Sequence, residues 1–338
     1  MADTQAAEPA VGTEEGLKPA PSKGGDKPTR KVRSGEGLLA ARLIAPAIIL
    51  MLAVIGYPVV SAIWSSLHLD KNDSGLSASG FFQKGGKWVG FKYYDYWLNC
   101  GNKCVVGTTG HDFYPALQTT VIFTIATVIL EVILGMMFAL VMNGTFKGRG
   151  LVRAAILVPW AIPTAVTAQL WKFMFDYQGI VNHVLGTHIL WTGSPTPARS
   201  AVIIIDTWKT TPFIALLLLA GLQVIPADIY ESARVDGANA WQRFVQITLP
   251  LVKPALLVAV LFRVLDVLRI FDLPYILTGG ANKTTTLSIL VVQELKASPN
   301  NASALSTITF IFIFLVAFVL VKAMGVNVVQ TQQRAVKK

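Results

Sequence analysis

Three observations predict an all-α integral membrane fold with six transmembrane helices. Apolar residues fill 53% of the 338 positions and charged residues only 14%, whereas a soluble domain carries about a quarter charged residues. Six apolar runs, roughly 43–67, 116–142, 152–175, 201–223, 254–277 and 303–324, each reach the ~20 residues that cross a bilayer as a helix. Between the fourth and fifth runs lies a polar stretch, 224–250, broken at Gly237. It reads as two short helices joined at a glycine.

The formal charge of +10 sits largely in the first 42 residues and in short loops. That is a positive-inside pattern with attraction to anionic lipid. It does not form the clustered basic face that nucleic acid requires, so a nucleic-acid partner is not expected.

Taken in order, residues 1–36 are rich in Ala, Glu, Gly, Lys and Pro without an apolar period, and they read as a disordered cytoplasmic tail. The polar stretch is too long for a signal peptide, and the run after it is a full span. Lys18, Lys23, Lys27, Arg30, Lys31, Arg33 and Arg42 precede that span and hold the N-terminus inside. A transmembrane domain follows over 37–324, then a second cytoplasmic tail over 325–338 with Arg334, Lys337 and Lys338.

The connections alternate. Segment 143–151, with Lys147 and Arg149, and segment 224–253, with Arg234, Arg243 and Lys253, fall inside. Segments 68–115, 176–200 and 278–302 fall outside. The long outer loop 68–115 is large enough for a lid or docking surface, and it holds both cysteines, Cys100 and Cys104. No histidine or further cysteine lies near them to make a zinc site, and none is expected. A small disulfide in an outside loop and two free thiols both remain open.

Within 224–250, Pro226 and Asp228 mark a helix start, with Glu231 three residues on to reach back to the first turn. Gly237 suits the left-handed turn that ends such a helix. A second helix over 238–248 shows Trp241, Phe244 and Val245 at helical spacing, and Pro250 marks its end.

This stretch carries a resemblance. Glu231-x-Ala233, three residues, Gly237, nine residues, Ile247-x-Leu249-Pro250 resembles the coupling loop of bacterial ABC-importer permeases. Ser232 stands where the family usually has alanine. The resemblance implies that this loop, with Glu231, Ala233, Asp236, Gly237, Leu249 and Pro250, docks into a cleft of an ATP-hydrolysing subunit. There the glutamate meets a basic residue. The bland reading is that Glu231 caps a surface helix.

No G-x-x-x-x-G-K-[ST] phosphate loop occurs in the chain; Gly86-Lys87 is followed by Trp88 and lacks the earlier glycine. No enzyme activity and no cofactor in this chain are therefore expected, with ATP and magnesium belonging to partner subunits.

Charges inside the spans need explaining. Glu131 lies near the middle of the second run, Lys172 toward the outer end of the third, and Asp206 and Lys209 in the outer half of the fourth. The fifth carries Arg263, Asp266, Arg269 and Asp272 at three-residue steps. Each charge near the bilayer centre costs about 2.5–3.5 kcal/mol on insertion scales, so these must face protein or water. Three-residue steps drift about 60° each on a helix, so the four are expected to wind around it and not to line one wall. Glu131, Asp206, Arg263, Asp266 and Arg269 read as a buried salt-bridge network. A polar translocation path and a proton relay through Glu131 and Asp266 remain as other readings.

Trp171, Trp208, Thr210, Thr211, Phe271 and Tyr275 cluster toward the outer halves. Aromatic faces beside polar groups suit a sugar pocket; interfacial belts and packing are the plainer reading. A candidate substrate pathway is Trp208, Lys209, Phe271, Asp272 and Tyr275.

A second resemblance narrows the class. Pro159-Trp160-Ala161-Ile162-Pro163, Trp171 and Gly179-Ile180-Val181-Asn182 are similar to the third-span region of MalF-type sugar permeases. Phe271 to Gly280, with Thr286-Leu287, resembles the end of their fifth span, although Ala281 replaces a common proline. Trp208 to Phe213 and Arg263-x-x-Asp266-x-x-Arg269-Ile270-Phe271-Asp272 look most like actinobacterial trehalose or maltose permeases.

The resemblance covers about residues 40–324. It implies a bacterial cell-membrane subunit that moves a carbohydrate by alternating access. Its partners would be a second homologous permease, two ABC ATPase subunits and an extracytoplasmic sugar-binding protein. The rival readings are a proton-coupled secondary transporter, an ABC permease for peptides or glycerol phosphodiesters, and a membrane scaffold.

Overall fold

A backbone kept from water must satisfy its hydrogen bonds internally, and the apolar runs do so as helices. The computed structural model describes residues 34–70, 86–100 and 109–335. The expected tail lies outside the described residues up to position 33, as do 71–85, 101–108 with Cys104, and 336–338. Among the described residues everything beyond turns is helical, save one isolated bridge between His68 and Trp88.

The chain falls into two compact units. The first ends at Gly56 and contains helix α1 (Ser34–Met51) and a widened turn, Leu52–Gly56. The second begins with α2 (Tyr57–Ser66) and continues through α3 (Lys92–Asn99), α4 (Phe113–Asn143), α5 (Arg149–Ala161) and α6 (Thr164–Met174). Then come α7 (Ile180–Leu185), α8 (Pro195–Gln223), α9 (Ala227–Val235), α10 (Ala240–Arg243) and α11 (Leu249–Val267). The last three are α12 (Asp272–Thr278), α13 (Leu287–Ala297) and α14 (Pro299–Ala335).

Among the described residues, five helical stretches are long and apolar enough to span a membrane: Ala41–Ser66, Thr109–Asn143, Pro195–Gln223, Ala240–Val267 and Pro299–Ala323. A sixth exists if α5 and α6, which meet at 93°, count as one bent span.

Two expected spans need correcting. The third, 152–175, is not straight. Pro163 lacks an N–H and cannot continue the α5 ladder, so Ile162 turns extended (φ −75°, ψ 131°) and α6 starts afresh. The fifth does not run 254–277. It starts upstream, where α10 passes through a widened turn, Phe244–Thr248, into α11. Pro250 therefore does not end the helix. The Leu249 N–H bonds five residues back to the Phe244 carbonyl, so the helix widens by one residue just before the proline and continues past it.

At its far end α11 stops at Val267. Pro274 cannot donate to the Ile270 carbonyl, which instead accepts from the Thr286 hydroxyl at 2.9 Å. The chain then restarts as α12. The expected tail from 325 is likewise helical, since α14 extends to Ala335.

Lipid tails are as apolar as leucine, so the helices associate through close fit and polar contacts. Gly135 shows this where α4 crosses α8. A Cβ there would come within 2.6 Å of the Ile214 methyl. Met136, Ala139, Ile214, Ala215 and Leu218 pack into a buried layer around that crossing.

Between α2 and α4, Trp97 of α3 is fully buried, and its indole N–H donates to the Asn301 carbonyl of α14 at 3.2 Å. Cys100 is disulfide-bonded.

Candidate functional site

Two places draw the chemistry-bearing residues together. The first is built on a buried arginine. Arg263 on α11 reaches Glu131 on α4 (Nε to Oε2, 2.6 Å), Asp206 on α8, and Asp266 one turn along its own helix. The Thr210 hydroxyl donates to the other Glu131 oxygen. Arg263, Glu131 and Asp206 are buried, while the Asp266 side chain is 67% exposed. One planar guanidinium thus ties three helices together, as its fork of donors allows.

Of the residues expected in a buried network, the structure brings Glu131, Asp206, Arg263 and Asp266 together. Arg269 is not part of it. Its Nε donates to the Leu265 carbonyl at 3.3 Å and its side chain is exposed. It lies beyond the end of α11, so helical spacing no longer carries it toward the buried carboxylates.

Beside this network opens a cleft of about 450 Å³. Its charged lining comprises Asp206, Lys209, Arg263, Asp266, Arg269 and Asp272, three cations and three anions. The expectation that the fifth-span charges could not share a wall is overturned. It assumed a continuous helix, and the break at 268–271 folds Arg269 and Asp272 back to the face of Arg263 and Asp266. Trp160, Thr164, Thr210 and Phe271 also line it, with Val267, Ile270 and Leu273 as its aliphatic part.

Of the candidate pathway residues, Lys209, Phe271 and Asp272 line the cleft. Tyr275 stacks on Phe271 with ring centroids 4.9 Å apart. Trp208 is turned to the other side of α8, against an apolar groove with Leu130, Phe138 and Pro159, and it meets Trp171 edge-on at 5.5 Å. Sequence reasoning missed Thr164 altogether and read Trp160 only as part of a motif. Pro163 between them was the usable signal, because a helix break inside a membrane marks a lined cavity.

The second place is the 224–250 segment. Gly237 takes φ +78° between α9 and α10, a conformation costly to residues with a Cβ. Tyr230 and Thr248 join across the segment through their hydroxyls at 3.0 Å, and Arg243 Nη1 donates to the Ala238 carbonyl at 2.7 Å. These bonds fix the angle between the two helices.

Glu231 does not reach back to cap α9, which has no side-chain cap. The reciprocal cap is instead Asn239 with Gln242, at 2.8 and 2.9 Å. Glu231 and Asp236 are exposed, with Val235 88% and Trp241 71% exposed beside them, and Ala233 is half-buried. Leu249 and Pro250 are exposed at the start of α11. The result is a rigid, unpaired knob carrying apolar and acidic side chains.

A family profile described as "Binding-protein-dependent transport system inner membrane component" matches residues 131–333, from the buried Glu131 through the knob and into α14. The chain belongs to this family of transport permeases.

The trehalose/maltose transport system permease protein MalF of Thermococcus litoralis is 39% identical to this permease over 302 residues, covering 87% of this chain and 96% of that one. The trehalose transport system permease protein SugA of Mycobacterium tuberculosis is 38% identical over 296 residues, covering 87% and 91%. In fold the permease matches a chain of a bacterial ABC transporter involved in the import of the acidic polysaccharide alginate. That match has a TM-score of 0.69 at 20% identity and covers 87% of this chain and 97% of that one.

Proposed function

We propose that this permease is the membrane subunit of an ATP-driven importer for a carbohydrate, with a disaccharide of the trehalose or maltose kind as cargo. The observation that carries the reading is the cleft at the breaks of two spans, where balanced charges and the Phe271 and Trp160 rings face one space. Aromatic faces and a few fixed polar groups suit a polyhydroxylated, uncharged ligand. The naming of MalF and SugA for trehalose or maltose transport supports the same class.

Lys209, Phe271 and Asp272 form this chain's share of the pathway, with Tyr275 behind Phe271 and Trp208 at the rear. The rest of the path belongs to a second, homologous permease. The knob around Glu231, Ala233, Asp236, Gly237, Leu249 and Pro250 seats in an ATPase subunit on the cytoplasmic side, where both termini also lie. ATP and magnesium act there, in two ATPase subunits, and an extracytoplasmic sugar-binding protein delivers the cargo. Closure of the ATPases pushes the knob; α10 and α11 form one continuous helical path that carries the push to the cleft and switches its access.

The test is a gentle detergent purification from the native membrane, followed by ATP hydrolysis and uptake assays with and without Glu231→Ala. Co-purification of a second permease and an ATPase, with sugar-stimulated hydrolysis lost in the variant, supports the reading. A chain that purifies alone and drives protonophore-sensitive uptake overturns it in favour of proton coupling. Uptake of a peptide or a glycerol phosphodiester in preference to sugars overturns the cargo alone.

A further inference from the structure

The lysine of the cleft does something other than wait for a ligand. Lys209 is buried on α8, and its Nζ donates to the Ile162 carbonyl at 2.9 Å. That carbonyl is one of those released where the third span bends by 93°. Ile162 follows the last residue of α5; Pro163, lacking an N–H, leaves the Pro159 carbonyl one turn back without a donor, and the extended turn at Ile162 carries the Ile162 carbonyl out of the ladder. The first bond of α6 runs from the Thr167 N–H to the Pro163 carbonyl, so the Ile162 carbonyl belongs to neither helix. A freed carbonyl away from water needs a donor, and a cation at a helix C-terminus also meets the negative end of its dipole.

Among the described residues, no carboxylate lies within ion-pair distance of Lys209. The Asp206 oxygen three residues earlier is held by Arg263. The hydrogen bond of Lys209 goes to backbone, while Asp206 and Asp266 attract it from beyond ion-pair distance.

Two residues close to the break are cleft residues. Trp160, stacked on Phe213 with centroids 5.9 Å apart, and Thr164 both face the space that Asp272 and Phe271 close from the other side. The position of that wall follows from the bend. We propose that Lys209 is a positioning residue, which pins the bend of the third span to α8 and so sets the cleft wall at Trp160 and Thr164. Its role in transport rests on the reading of the cleft as the pathway; its role in the bend does not.

The test uses the full importer with Lys209→Met, which removes the donor at similar volume, and Lys209→Gln, which removes the charge but keeps a donor. Spin labels at Leu151→Cys on α5 and Phe173→Cys on α6, both exposed positions, report the bend as a distance. Uptake at low and saturating sugar reports transport. The Met variant is expected to shift or broaden the distance and to cut uptake at low sugar about tenfold, the worth of one charge-assisted hydrogen bond. The Gln variant, which can still donate to the Ile162 carbonyl, keeps the distance.

An unchanged distance in Lys209→Met overturns the proposal. So does a Gln variant whose distance shifts as far as that of the Met variant, since it still carries a donor. If the Met variant does not assemble, a Gln variant that assembles with its bend supports the need for a donor; failure of both alike overturns it in favour of a need for charge. If the unaltered importer takes up no carbohydrate, the cargo reading fails, and the distance measurement still decides the role of Lys209.

Discussion

Arg263 and Glu131 stand 132 residues apart in sequence and 2.6 Å apart in space, both fully withdrawn from solvent. Their pairing fixes where α11 crosses α4, and through Asp206 where both meet α8. Removing one partner of such a pair leaves the other charge buried alone, at a cost of about 3–5 kcal/mol. Arg263→Leu strands the buried Glu131 and Asp206, the exposed Asp266 being free to turn to water, whereas Glu131→Gln leaves Arg263 with two partners. The expected outcome is a large fall in the melting temperature of the purified complex for Arg263→Leu and a smaller one for Glu131→Gln, read by thermal unfolding in detergent. Equal falls would mean that Asp206 and Asp266 contribute nothing to holding the arginine.

The knob depends on one backbone conformation. At φ +78° a Cβ added to Gly237 would meet no neighbouring atom within 4 Å, so any penalty for a larger residue there is conformational, not steric crowding. Gly237→Val places a β-branched residue in the left-handed region, at about 1–3 kcal/mol of local strain. The turn re-forms at another angle and the exposed face around Glu231 is re-aimed. Uptake is expected to fall while the ATPase subunits keep hydrolysing, so the ratio of sugar moved to ATP spent drops. Unchanged coupling in this variant would count against the knob as the transmitting element.

Asp272 sits exposed at the cleft mouth with no carboxylate-to-cation contact within 4.0 Å among the described residues, so its removal costs no buried pair. Asp272→Asn is expected to leave assembly and melting temperature unchanged while raising the half-saturating sugar concentration. A loss of one charge-assisted bond corresponds to about tenfold. Phe271→Ala removes the ring face and the stack with Tyr275, and should act in the same direction. Concentration-dependent uptake on the two variants checks both.

How much of this was legible beforehand follows from which forces are local. Run length and composition are local, and they located the spans. The left-handed turn at Gly237 was legible because only one residue type takes it cheaply. The partners of Glu131 were not, since nothing near position 131 refers to position 263. The winding argument for Arg263, Asp266, Arg269 and Asp272 failed for a definite reason. It extended a helix past Leu268, although Pro274 had already forbidden the bond to the Ile270 carbonyl. Pro163 gave the same warning in the third span. It announced a break, but the 93° direction came from what could receive the freed carbonyl, and that was Lys209 on another helix.

One further prediction concerns the loop between α6 and α8. Asn182 is buried and serves as a hub. Its Nδ2 donates to the carbonyls of Ile189 at 2.8 Å and Tyr177 at 3.1 Å, while its Oδ1 accepts from the Trp191 indole at 3.0 Å, the Ile189 N–H and the Thr187 hydroxyl. An amide has both donors and acceptors to do this; aspartate of the same shape has acceptors only. Asn182→Asp therefore keeps the Oδ1 contacts but sets a carboxylate against the Tyr177 and Ile189 carbonyls, whereas Asn182→Ala loses both sets. Each unsatisfied buried group costs about 1–3 kcal/mol. Backbone amides over 176–193 are expected to exchange faster in both variants, with those of α4 and α8 unchanged. If exchange quickens across the whole chain, the loop is part of the global fold, and its hub does not act locally.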